Sequence, residues 1–214
     1  MENRMKPVPR VSVETVTPDP YLARALQVLS DEGLVWLQRA APADKEVVRV
    51  VLVDTACLWG SAEERKWLLS RIGEADAYAF MSYSGASFDG VPHLRLDGPV
   101  AEVRRELMRL VTRLATGSLP GTPALFSRLS VTERQVMLFL TCGYGIREMH
   151  ESLGLNVKTV YRIRTDVMKK YRLANRRELY TLLRVYDVLR ELKAVGVRTV
   201  PVQTLRTLRG NLAL

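Results

Sequence analysis

Apolar positions in the first 114 residues change period several times. The runs at 10–16 (RVSVETV), 47–54 (VVRVVLVD), 77–83 (AYAFMSY) and 93–98 (HLRLDG) read as strands, as does the shorter apolar run at 33–38 (GLVWLQ). Helical spacing appears at 20–32, 61–73 and 100–114. Strands alternating with helices predict an α/β domain built on a parallel sheet covered on both faces. Residues 40–46 and 85–92 are too short or too polar for full helices. Two Gly and two Pro break the pattern between 115 and 128 and mark a linker.

Downstream the period is helical throughout. Residues 129–143 open with Ser130 and Glu133 in capping-box spacing and close at Gly143. A shorter helix at 146–154 ends on Gly154, and Asn156 is placed to cap the next one. In that next helix Val160, Ile163, Val167 and Tyr171 recur at spacings of three, four and four, one stripe for a core. About half a turn away run Lys158, Arg162, Thr165 and Lys169, with Tyr161 beside them. Short helix, glycine turn and basic second helix predict a helix-turn-helix, with one stripe packed on protein and the other facing bases and phosphates. A final helix runs to about Ala194, with Leu179, Leu182, Leu183, Tyr186, Leu189 and Leu192 on one side, more than a small domain needs to cover; it suggests a partner surface, most simply a second copy, or a tail folded back on the chain. A short helix is expected from Pro201.

Charge sharpens the division. Residues 1–120 hold 15 Lys and Arg against 16 Asp and Glu, whereas 121–214 hold 17 against 7. A near-neutral half followed by a strongly basic one is the balance of a sensing or scaffolding domain joined to a polyanion-binding domain. No apolar run approaches a membrane span of about 18–20 residues, and the polar start lacks a secretory core, so a cytoplasmic location is expected. Cys57 and Cys142 stand far apart, and His93 and His150 lack companions at ligand spacing; neither a disulfide framework nor a metal or other cofactor is expected.

Residues 129–183 resemble the DNA-binding domain of the LuxR/FixJ family of bacterial transcription regulators, on LSVTERQV, Gly143, EMH, LG, TV and KKYRLANRREL. The resemblance implies that Tyr161, Arg162 and Thr165 face base edges and that Lys158, Lys169 and Lys170 lie near the DNA backbone, with Asn156, Thr159 and Arg164 completing the DNA-facing set. Three positions depart from the family: His150 replaces an alanine at the crossing of the motif helices, Ile163 a frequent histidine, and Asp166 puts an acid on a helix that meets phosphate. Local pairing of Asp166 with Lys169 or Lys170 is expected to offset the last.

The N-terminal part resembles, in outline, the receiver domain of two-component response regulators, a flavodoxin-like fold. Asp54 at a strand end matches the phospho-accepting aspartate, and Ser82 could stand for the switch hydroxyl. The acidic pair that holds Mg²⁺ is replaced by Thr17 and Pro18, with Asp19 one position late, and Leu96 or Asp97 stands where the family has lysine. The resemblance thus implies a degenerate receiver over 1–114, a linker over 115–128, a helix-turn-helix domain over 129–194 and an extension over 195–214. The expected function is that of a non-enzymatic, dimeric, sequence-specific DNA-binding regulator independent of phosphorylation. The alternatives are an authentic phosphoreceiver using Asp54, or a sigma-like protein whose partner is RNA polymerase.

Overall fold

The computed structural model describes residues 10–40, 47–84, 86, 88, 90–117 and 126–194. The chain divides into two compact units, one built on 10–83 and 91–117, the other on 126–194 with the segment Ser84–Gly90.

In the first unit β1 (Arg10–Val16), β2 (Val47–Asp54), β3 (Ala77–Ser82) and β4 (His93–Arg95) form one parallel sheet whose spatial order is their chain order. β2 is buried from Val50 to Asp54 and β3 from Tyr78 to Ser82, the two-sided burial of central strands, whereas β1 is mostly half-buried. Alternation sends Val11, Val50, Leu52, Ala79 and Met81 to one face, where α1 (Pro20–Ala40) and α3 (Val100–Ala115) cover them with Leu26, Leu34, Val103 and Leu107. The opposite face carries Val51, Val53 and Phe80. There α2 (Ala62–Gly73) buries Leu68 and Ile72, and its Arg71 donates to Glu14 of β1, which also accepts from Arg49 of β2 at 2.9 Å.

The two crossovers β1–α1–β2 and β2–α2–β3 step the same way across the sheet but pass over opposite faces, so they have opposite hands. About 98% of such crossovers are right-handed. One of these two is therefore the rare hand.

The strand expected at 33–38 is instead the second half of the 21-residue α1. Leu22, Leu26, Leu29 and Leu34 lie on its core side, a helical spacing that extends through the short apolar run. Gly33 lets α1 approach α3 closely, since a Cβ there would collide with Met108 Sδ. The strand expected over 93–98 is three residues long, and Leu96 lies beyond it while still donating its N–H to the Ser82 carbonyl. The described residues of 85–92 contain no helix; 41–46, 118–125 and 195–214, including the helix expected from Pro201, lie outside the described residues.

The second unit is helical: α4 (Val131–Thr141), α5 (Ile146–Leu153), α6 (Val157–Lys170) and α7 (Arg176–Ala194). Its core gathers Val136, Met137, Met149, Val160, Val167, Tyr171, Leu179 and Leu182. Phe126, inside the expected linker, is buried and packs its ring 4.3 Å from that of Tyr186, so this unit starts at least three residues earlier than 129. The α7 stripe is buried: Leu179, Leu182, Leu183, Tyr186, Leu189 and Leu192 are all covered.

Candidate nucleic-acid interface

Ser130 and Glu133 form the capping box that starts α4. Glu148 Oε2 accepts the Gly145 N–H at the head of α5, and Gly154, at φ 63°, makes the left-handed turn that ends it. Asn156 Oδ1 then accepts the Lys158 N–H at 2.8 Å and starts α6. Each boundary is thus set by a local backbone requirement, and together they place α6 one tight turn after α5.

α6 has two faces, as its spacing predicts. Val160, Ile163, Val167 and Tyr171 are all buried, and Tyr171 and Val167 fully so. Lys158, Tyr161, Arg162, Thr165, Lys169 and Lys170 are exposed, and Thr159 and Arg164 half-exposed. The exposed set is not uniformly free. Asn156 spends its oxygen on the cap. Thr165 donates its hydroxyl to the Tyr161 carbonyl at 3.1 Å, leaving its oxygen lone pairs outward. Arg164 stacks its guanidinium 4.9 Å from the Tyr161 ring, so it props the tyrosine.

Lys170 is held differently from the other cations. Its Nζ lies 2.7 and 2.6 Å from the two carboxylate oxygens of Glu133, whose side chain is only 12% exposed and which also accepts the Ser130 N–H. Burial raises the Glu133 pKa, but hydrogen bonds from Lys170 and Ser130 outweigh it and hold the carboxyl below its ordinary range. The contact ties the start of α4 to the end of α6 across 37 positions of sequence. The expected pairing of Asp166 with Lys169 or Lys170 is not formed among the described residues, because Lys170 turns to Glu133. Arg128, which the sequence pattern did not single out, lies 5.9 Å from the Tyr171 ring centroid and reaches the Lys170 carbonyl.

His150 is exposed, as a histidine turned outward would be, and it is held in place there. Its Nδ1 lies 2.6 Å from the Leu155 carbonyl oxygen, across the turn between α5 and α6.

The acidic position of the first unit is a closed hydrogen-bond site. Asp54 is 6% exposed; Oδ1 accepts the Ala56 N–H and Oδ2 the Thr17 hydroxyl, both at 2.8 Å. Thr17 in turn accepts the Asp19 N–H, and Asp19 Oδ1 accepts the N–H groups of Tyr21 and Leu22 at the start of α1. Of the two acidic-pair positions, Thr17 is therefore a hydroxyl donor to Asp54 and Pro18 has no side-chain donor or acceptor, while Asp19, one position later, caps α1. Ser82 Oγ lies 2.9 Å from His93 Nε2, and burial pushes the His93 pKa down to about 4, so that ring is neutral at pH 7. Burial likewise raises the Cys57 thiol to about 11. Leu96 is buried in the core and Asp97 pairs with Arg95 at 2.6 Å. Among the described residues no group of three or more His, Cys, Asp or Glu could hold a metal ion, and no helix is long and apolar enough to cross a membrane.

No protein-family model and no curated protein matches the chain. A solved response regulator, StyR, aligns at 16% identity over 81% of this chain and 98% of its own, with a TM-score of 0.31.

Proposed function

We propose that the chain is a dimeric regulator that binds duplex DNA through α6 and is not controlled by phosphorylation of Asp54. One observation carries the reading: α6 buries its apolar stripe and leaves Lys158, Tyr161, Arg162, Thr165 and Lys169 on the other side, one left-handed turn after α5. A helix so mounted can enter the major groove with its early residues at base edges and its lysines at phosphates. The excess of 17 basic over 7 acidic residues in 121–214 supplies the long-range attraction.

The test is selection of a preferred site from randomised duplexes by the full-length chain, followed by titration against salt. Affinity should fall steeply with salt as phosphate-bound counterions are released. Arg162→Ala should cost roughly 1–3 kcal/mol of discrimination between selected and random duplexes. Lys169→Ala should weaken both alike. Equal losses on the two duplexes for Arg162→Ala would remove the base-reading role. Dimerisation predicts two inverted half-sites and a sedimenting dimer at micromolar concentration; a monomer both free and on DNA would exclude it.

The rival reading, an authentic phosphoreceiver, has Asp54 as its only anchor. It is disfavoured because both Asp54 oxygens are already engaged and the flanking Thr17 and Pro18 bring no charge to hold a divalent ion. A polymerase-binding role remains the alternative partner for α6, and excess duplex DNA displacing polymerase from the chain would separate the two.

A further inference from the structure

We propose that His150 is a positioning residue, a clasp that sets the path of α6 out of the turn; the proposal rests on the DNA-binding reading. The turn is only three residues long. α5 ends at Leu153, Gly154 reverses the chain at φ 63°, Leu155 follows, and Asn156 caps α6. Asn156 fixes the first N–H groups of α6 but does nothing for the Leu155 carbonyl just before it, which α6 cannot use either. His150, one turn back on α5, supplies the partner through Nδ1 at 2.6 Å. For that contact to be a hydrogen bond the ring must carry its proton on Nδ1, because a carbonyl oxygen only accepts.

The clasp therefore joins α5 to the residue that precedes the α6 cap, and adds to the buried stripe a constraint at the end of α6 that carries Lys158, Tyr161 and Arg162. A small side chain at 150 would allow the helices to pack but would leave the turn ahead of the Asn156 cap without this bond, at a glycine, the residue least able to hold one conformation. Phosphate contacts tolerate a small rotation of α6, whereas bidentate base contacts do not. The clasp should hence matter for discrimination between sequences more than for total affinity.

The experiment compares the full-length chain with His150→Ala and His150→Asn, on the selected duplex and on random duplex. The asparagine Nδ2 lies as many bonds from Cβ as the histidine Nδ1 and can donate in its place, without a ring or a charge. Ala is the better helix former, so a loss in His150→Ala runs against helix propensity. Discrimination should fall about threefold to tenfold in His150→Ala, the range one hydrogen bond supplies, with random-duplex affinity within about twofold. His150→Asn should restore most of it. Long-range ¹H–¹⁵N spectra of the imidazole give an independent readout, with the proton expected on Nδ1. The proposal is overturned if His150→Asn discriminates no better than His150→Ala, or if the ring carries its only proton on Nε2. Should the natural chain itself fail to prefer any duplex, the DNA-binding reading and the positioning role both fall, while the ring spectrum still shows whether the clasp forms.

Discussion

Replacing Thr17 by Val tests whether Asp54 has a structural role. Valine nearly matches threonine in shape, so packing is kept while one hydroxyl is removed. Two contacts go with it: the Oγ1–H donated to Asp54 Oδ2 at 2.8 Å and the acceptor for the Asp19 N–H at 3.1 Å. A hydrogen bond to a charged group is worth about 1.5–3 kcal/mol. Thr17 is half-exposed, so water can partly take its place, and the loss falls around the bottom of that range: about 1–2 kcal/mol. For a unit of this size that is a fall in unfolding midpoint of roughly 4–10 °C. Urea unfolding of the full chain, followed by signals of the first unit, measures it. In a double-mutant cycle with Asp54→Ala the two losses should be less than additive by about 1 kcal/mol, since either substitution alone removes the same bond. Additive losses, or a Thr17→Val variant within about 0.3 kcal/mol of the natural chain, would refute the reasoning.

Asp54→Asn should leave operator affinity within about threefold, less than about 1 kcal/mol, and small phosphodonors with Mg²⁺ should leave the intact mass unchanged; a phosphate on Asp54 with a tenfold change in affinity would restore the phosphoreceiver reading. Lys170→Ala should lower the stability of the helical unit more than it lowers DNA affinity, because Lys170 is committed to Glu133. The Glu133 carboxyl is depressed in the folded chain, so its contribution is complete above the ordinary value of 4.5 and lost as pH falls through the folded value; the stability difference between Lys170→Ala and the natural chain, read by urea unfolding, should shrink towards zero across that acid range. Gly33→Ala gains up to about 1 kcal/mol in helix propensity but makes the Met108 side chain shift, so the net gain in thermal unfolding should fall short of that value and approach it once Met108 is also shortened to Ala in a double-mutant cycle.

What could be read from the sequence was what repeats at short range. The two faces of α6 follow from spacings of three and four, and the capping box at Ser130 and the turn at Gly154 are local chemistry. The β2 run announced a buried strand because every position from Val50 to Val53 is apolar. The run at 33–38 misled because a short apolar stretch has no period of its own; it became helix once Leu34 could share the face of Leu26. Contacts between distant positions left no local trace. Glu133 and Lys170 are 37 residues apart, so the lysine looked free for phosphate. The α7 stripe looked like a surplus because the sequence does not show how much of it the chain itself buries.

The sheet's unbroken order, each strand beside its predecessor, also fixes how the first unit comes together and apart. Strand partners lie 37 residues apart between β1 and β2, 27 between β2 and β3, and 13 between β3 and β4, as Arg10 with Val47, Val50 with Ala77 and Phe80 with His93 show. Loop-closure entropy alone makes the first of these pairings about 0.9 kcal/mol more costly than the last. Assembly is thus easiest from the β4 side and hardest at β1. Among the described residues β1 and β4 each have a single strand neighbour, and β1 is the edge whose pairing closes the longer loop. The Thr17 hydroxyl, one residue past the end of that strand, is where the last-docking edge is fastened to the centre, through Asp54 at the end of β2.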